Sequence, residues 1–275
     1  FLGTIREVDA IVHVLRCFED EDVTHVDGRI DPVADAETVE TELMLADLES
    51  LENRVVPIEK RATTGDKDAK AVYNLMMKAL NLLREGKPAR LADLTPEQRA
   101  PFRQLTLLTE KPVLYICNVD EESAAEGNEA SARVAQMAKE QGAGSIVISA
   151  RIEEELVQLR SEERIEYLES LGLAEPGLNR MIHAGYELLG LVTFFTAGPK
   201  AARAWTIVDG TKAPAAAGVI HTDFEKGFIR AETITYEDYV ASGGESGARD
   251  AGKFRLEGKE YVVKDGDVLH IRAAN

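Results

Sequence analysis

The sequence predicts an α/β protein that carries an inserted helical hairpin and ends in a separate β-rich module. Three observations predict it. Two apolar runs, Val113 to Cys117 and Gly144 to Ala150, flank a stretch of helical spacing. That order, strand then helix then strand, is a βαβ unit with parallel strands. Two long amphipathic stretches flank the polar turn Thr63-Thr64-Gly65-Asp66, the pattern of an antiparallel helix pair. From Leu191 onward, short β-rich runs alternate with turn signals such as Asp209-Gly210 and Lys226-Gly227.

The elements follow in chain order. Ala10 to Phe18 reads as a core strand, and an acidic loop from Glu19 to Gly28 follows it, with Asp31-Pro32 as punctuation. Glu37 to Leu51 has the apolar stripe Val39, Leu43, Ala46 and Leu48, and the helix is expected to continue towards Ala62. Asp68 to Glu85 is the second helix, with Ala71, Leu75, Met76, Ala79, Leu82 and Leu83 on one face; Gly86-Lys87-Pro88 ends it. Thr95-Pro96-Glu97 fits a helix start, with Thr as cap and Pro in the first turn. The chain then re-enters the α/β unit at Val113, and Glu129 to Gln141 supplies its crossover helix. Helices are expected over Ser161 to Gly172 and Leu178 to Leu189.

In the β-rich module, strands are expected at Val192–Thr196, Ala204–Val208, Phe228–Thr235, Tyr261–Lys264 and Val268–Arg272, with a short helix over Pro214–Ile220. The last two strands are read as a pair joined by Asp265-Gly266-Asp267. Strands around one helix in so short a span fit a β-grasp fold. The domains are therefore drawn as 1–38 with 96–188 for the α/β domain, 39–95 for the helical insertion and 189–275 for the terminal module.

Composition bounds the function. The 275 residues fit two domains, and 44% hydrophobic content is ordinary for a protein with real cores. No apolar stretch approaches the roughly 18 residues of a membrane span. Two cysteines, Cys17 and Cys117, are too few for a disulfide scaffold and read as reduced, packed thiols in a cytoplasmic protein. A net charge of -17 disfavours nonspecific nucleic-acid binding by the chain as a whole. The charge is uneven: residues 54–90 hold nine basic and four acidic side chains, so this segment is +5 and the remainder -22. A basic projection on an acidic body is a way to touch RNA selectively; a solvated helix face is the other reading.

Strand ends are where open α/β sheets bind ligands. The run ending at Cys117 delivers Asn118-Val119-Asp120-Glu121, and the next ends in Ser149-Ala150. This layout is similar to the base-reading loops of P-loop NTPases. A guanine reader has Asn-Lys-x-Asp, whose short carboxylate accepts both the ring N–H and the amino group of guanine. Here Val119 takes the second position and Glu121 the last, and adenine has no such donor pair, so the change favours ATP. No run of the GxxxxGK[ST] type occurs in the 275 residues, and without one no set of backbone amides is available to cradle phosphates.

Three runs carry a family resemblance: Asn118 to Glu121, Gly177-Leu178-Asn179-Arg180, and Ile220 to Arg230 with its His221-Thr222-Asp223-Phe224 core. With these the chain resembles the Obg-like ATPases of the YchF type, ribosome-binding P-loop proteins of the TRAFAC class, over essentially its whole length. The resemblance implies a Rossmann-like P-loop NTPase domain, a helical insertion and a C-terminal TGS domain of β-grasp fold. It implies slow, Mg²⁺-dependent ATP hydrolysis, ATP preferred over GTP through Asn118, Val119 and Glu121 with Ser149 and Ala150 closing over the base. It implies ribosome binding, and Arg61, Lys67 and Lys70 near the hairpin tip are the candidate contacts. It implies a water-orienting histidine in the loop after the first strand, the position of His25. On the same resemblance the phosphate loop, both switch segments and the Mg²⁺ ligands are expected to lie outside these residues, leaving this chain inactive alone. A non-catalytic ribosome-binding adaptor and an Obg-type GTPase stand as the alternatives. The spacing of the five histidines forms no metal cluster.

Overall fold

A computed structural model describes residues 2–19 and 30–274. The chain divides into two compact units, Phe1–Leu188 and Leu189–Asn275.

The first unit is built on three parallel strands, β1 (Ile11–Arg16), β2 (Val113–Asn118) and β3 (Gly144–Ile148), in that spatial order. Helix α1 (Leu2–Glu7) precedes β1. The register aligns Leu15 with Cys117 and Cys117 with Val147. Every residue of β2 from Val113 to Cys117 is buried, as expected of a central parallel strand covered on both faces. Leu15, Cys17, Val113, Tyr115, Cys117 and Val134 share one core, and both cysteines are free thiols within it.

Between β1 and β2 stand α2 (Pro32–Thr63), α3 (Lys67–Arg84) and α4 (Pro96–Arg103). Helix α2 begins seven residues before the expected domain boundary at residue 39. Asp31 accepts a hydrogen bond from the Ala34 N–H at 3.2 Å and Pro32 opens the first turn. Asp31-Pro32, read from sequence as loop punctuation, is the start signal of the helix. The helix continues through Pro57 to the turn, and Asp66 caps α3 by accepting from the N–H groups of Asp68 and Ala69. Leu51, Leu75, Met76, Ala79, Leu80 and Leu83 form the core of the pair with Phe102 of α4. Ala69 and Leu80 occupy that face, whereas Ala71, expected there, is exposed.

Buried Asp47 of α2 fastens the insertion to the segment entering β2. It accepts from the N–H groups of Leu108 and Thr109 at 2.9 and 2.8 Å and from the Thr109 hydroxyl at 2.8 Å. Arg90 and Glu40, both about 6% exposed, pair at 2.8 Å, and Arg90 also donates to the Gln141 carbonyl at 3.0 Å. The α/β unit closes with α5 (Glu129–Glu140), α6 (Ala150–Gln158), α7 (Ser161–Ser170) and α8 (Gly177–Leu189). Helix α6, starting directly from the Ser149-Ala150 pair, was not expected from sequence.

The second unit holds β4 (Leu191–Ala197), β5 (Ala202–Val208), α9 (Ala213–Ile220), α10 (Thr222–Lys226), β6 (Phe228–Thr235), α11 (Tyr236–Ala241), α12 (Glu245–Asp250), β7 (Arg255–Glu257) and β8 (Asp267–Ala273). The sheet order is β5-β4-β8-β6-β7, with β4 and β8 parallel and the other pairs antiparallel. A first hairpin, a packed helix and a central final strand are the β-grasp arrangement. Ala213, Ala216 and Ala217 of α9 pack on Phe194, Ala231 and Leu269.

Two expectations do not hold in this unit: a strand at Tyr261–Lys264, and a single helix among the strands. Tyr261–Lys264 is not a strand paired to β8; only a single bridge joins Val262 to Lys212. Val263 is fully buried and Asp267 accepts from the Lys264 N–H at 2.9 Å, so the alternating pattern reports burial in a folded-back loop. The strand beside β6 is the short β7, and α11 and α12 fill the connection before it.

Candidate nucleotide-base site

The carboxyl ends of β2 and β3 bring together five of the nine expected site residues. Asn118 is the last residue of β2, and its Oδ1 accepts a hydrogen bond from the Ala150 N–H at 2.9 Å. The Val119 N–H donates to the Ile148 carbonyl at 2.9 Å. These two bonds tie the loop after β2 to the loop after β3. Ser149 is the residue before α6, and Ala150 is the first residue inside it.

Each side chain has a distinct setting. Val119 is 3% exposed and belongs to the strand core, so it anchors the loop from beneath. Ser149 is also buried, and its hydroxyl has no hydrogen-bond partner among the described residues. Glu121 is 38% exposed and its carboxylate lies 3.3 Å from Nε of Arg151 in the first turn of α6. Arg151 is 75% exposed, so the pair is a surface interaction of modest strength, roughly 0–1 kcal/mol. Sequence reading missed Arg151, though its place directly after Ser149-Ala150 was the available signal.

The support beneath the loops explains a second sequence run. Glu153 of α6 accepts from the backbone N–H groups of Gly177 and Leu178 at 2.6 and 3.2 Å, capping α8. A Cβ at Gly177 would stand 2.8 Å from both Glu153 Oε1 and Ile148 Cγ2. Gly177 is therefore a close-approach glycine that lets α8 start against the end of β3. Asn128 begins α5 by accepting from the Ser131 N–H at 2.9 Å, and its amide nitrogen donates to the Cys17 carbonyl at 2.7 Å. This bond fixes the end of β1 beside the same edge of the sheet. A cleft of about 530 Å³ opens there, lined among others by Phe18, Asp120, Asn128 and Arg133.

The remaining expected residues lie elsewhere. Lys67 and Lys70 are exposed on the first turn of α3, at the hairpin tip. Arg61 joins them there but donates to Asp66 at 2.7 and 3.1 Å. Hydrogen bonds from Ala69 and then from Arg61 hold the Asp66 carboxyl below the usual range. The basic run of 54–90 does not form one surface: Arg54 donates to the Leu105 carbonyl, Arg84 meets Glu52, and Arg90 is buried against Glu40. His25 lies outside the described residues. Among the described residues, the side chains grouped closely enough to hold a metal ion are Glu232, Glu245 and His270 in the second unit. None of the residues at the base loops belongs to that group.

Comparison with known proteins places this geometry in a family. Residues 191–274 match the YchF-GTPase_C family, described as a protein of unknown function (DUF933). A protein of Bacillus subtilis (strain 168) named "Ribosome-binding ATPase YchF" is 51% identical over 274 residues, covering 99% of this chain and 75% of that protein. The protein of the same name from Haemophilus influenzae is 52% identical over 272 residues, with 99% and 75% covered. The solved structure of the Schizosaccharomyces pombe YchF GTPase matches with a TM-score of 0.88 at 35% identity, covering 98% of this chain and 74% of that one. No described helix is long and apolar enough to cross a membrane. The chain belongs to the YchF family.

Proposed function

We propose that this protein is an adenine-nucleotide-binding NTPase that associates with the ribosome in the cytoplasm, hydrolysing ATP in preference to GTP. The observation that carries the reading is the bond from the Ala150 N–H to Asn118 Oδ1. It fixes the orientation of the Asn118 amide, leaving Nδ2 as a donor and one Oδ1 lone pair as an acceptor. Nδ2 then suits the N7 acceptor that either purine offers, so Asn118 holds the base as the Asn of a guanine reader does, and the preference for adenine falls to the position of Glu121. Glu121, paired with Arg151, stands where a guanine reader keeps its shorter carboxylate. Val119 and Ser149 act by holding the loops in place, and Ala150 by fixing Asn118.

The ribosome reading rests on the relatives named above and on the exposed cations at the hairpin tip. Arg61, Lys67 and Lys70 are its proposed contacts there, and the β-grasp unit is read as a TGS domain. His25 is proposed to orient the attacking water. The phosphates and Mg²⁺ are assigned to parts of the family architecture other than the residues described. Hydrolysis then depends on those parts, and this chain by itself is expected not to turn over ATP.

The test is nucleotide binding and ribosome pelleting on the same preparation. Displacement of a fluorescent ATP analogue by ATP but not GTP, abolished in Asn118→Ala, is the expected result. Equal displacement by both nucleotides would refute the adenine reading. We propose further that the bound nucleotide regulates ribosome binding; pelleting with ribosomes that neither nucleotide alters would favour a non-catalytic adaptor instead.

A further inference from the structure

We propose that Arg151 is the specificity-determining residue of the base site, donating from its guanidinium to the N1 acceptor of adenine. The inference rests on the base-site reading above and names the group that makes the site select adenine. With N7 of the purine on Asn118 Nδ2, the N1 edge of the ring lies at the position of Glu121, where the carboxylate of a guanine reader accepts from the ring N–H and the amino group. Adenine presents a lone pair at N1 and a C2–H beside it. A carboxylate facing that edge sets acceptor against acceptor. Glu121 by itself therefore accounts for weaker guanine binding and supplies no attraction for adenine. Adenine requires a donor at this edge, and a guanidinium is a donor only.

Arg151 meets that requirement from three directions. It follows Ala150, whose N–H is bonded to Asn118 Oδ1 at 2.9 Å, so its backbone is tied to the residue that holds the base. Its Nε lies 3.3 Å from the Glu121 carboxylate. The acid that i,i+4 spacing brings beside it on α6 is Glu155, but Glu155 accepts from the Tyr167 hydroxyl of α7. The contact with Glu121 runs through Nε and Arg151 is 75% exposed, so the Nη donors stay available to a base. The guanidinium is always charged and gives adenine N1 a charge-assisted hydrogen bond. Guanine carries a hydrogen at N1 and an amino group at C2, so donors would meet donors there. One side chain thus attracts one purine and rejects the other. Glu121 acts as a positioning residue that holds the guanidinium at the base edge.

The experiment measures displacement of a ribose-labelled fluorescent ATP analogue by ATP, by GTP, by 1-deaza-ATP, which has C–H in place of N1, and by 7-deaza-ATP, which has C–H in place of N7. The proteins are the wild type, Arg151→Ala and Asn118→Ala, each checked by circular dichroism. The wild type should prefer ATP over 1-deaza-ATP by about tenfold, the low end for a hydrogen bond to a charged group because the site is open to water. Arg151→Ala should bring that preference within about twofold and raise GTP binding relative to ATP, because the donor facing guanine N1–H is gone. A purely structural role for Arg151 would weaken both adenine nucleotides equally and leave their ratio as in the wild type. Equal binding of ATP and 1-deaza-ATP to the wild type, or an unchanged preference in Arg151→Ala, overturns the proposal. The 7-deaza arm keeps the two readings apart. A preference for ATP over 7-deaza-ATP that disappears in Asn118→Ala seats the base on Asn118, and failure of the 1-deaza arm then falls on Arg151 alone. If 7-deaza-ATP binds the wild type as ATP does, or no nucleotide binds, the base-site reading fails with it.

Discussion

Replacing Glu121 by Asp should move purine preference towards guanine without unfolding the loop. The side chain shortens by one carbon–carbon bond, about 1.5 Å. Arg151 Nε, now 3.3 Å from the carboxylate, is then out of reach. That pair joins groups 38% and 75% exposed, so breaking it costs at most about 1 kcal/mol, and the melting temperature should barely change. The gain is specific to guanine, whose ring N–H and amino group both point at a retracted carboxylate. A bidentate base interaction of this kind is worth roughly 1–3 kcal/mol, or about 5- to 150-fold in relative affinity. Competition of ATP and GTP against a fluorescent nucleotide measures the ratio directly, with Arg151→Ala as the control that releases Glu121 at its native length. The single substitution is cleaner than pairing it with Val119→Lys, because Val119 is 3% exposed and an ammonium there would enter the strand core. An ATP-to-GTP ratio unchanged within twofold in Glu121→Asp, with binding retained, would refute the base-reading role.

Other outcomes follow from the same geometry. Asp47→Ala strands two buried N–H donors and a hydroxyl, so urea unfolding should show destabilisation by about 3–5 kcal/mol; a change under about 1 kcal/mol would contradict the fastening role. Gly177→Ala forces a Cβ to 2.8 Å from Ile148 and should cost about 1–3 kcal/mol, read by thermal melting, with nucleotide affinity falling as the loop after β3 shifts. Neutralising Lys67 and Lys70 should weaken ribosome pelleting and flatten its salt dependence, more than Arg61→Gln does, because Arg61 is already paired with Asp66; equal effects would disprove that ordering. The hydrogen bonds from Arg272 hold the Glu232 carboxyl below its ordinary value of 4.5. A carboxyl lowered on folding favours the folded state above its unfolded pKa and loses that contribution as pH falls through the folded one. Acid titration followed by circular dichroism should therefore show the second unit losing stability below about pH 4.5, with a shallower dependence in Arg272→Gln, where the main cause of the lowering is gone.

The sequence by itself determined the periodic elements. Apolar runs placed β1, β2 and β3, helical stripes placed the hairpin, and Asn118 and Glu121 followed at a strand end because their position depends only on local order. Local patterns also misled where burial has several causes. Tyr261 to Lys264 alternates as a strand does, yet Val263 is buried in a loop and only one bridge forms. Asp31-Pro32 marks a helix start rather than a turn, since the same residue pair serves both and only the Ala34 N–H bond distinguishes them. Tertiary structure alone decided which charges meet. It turned Arg90 inward to Glu40, set Arg151 against Glu121 and gathered three arginines around Glu232. Those pairings join residues distant in sequence or on separate elements, and side-chain direction across a packed interface is fixed by three-dimensional register, which no linear spacing encodes.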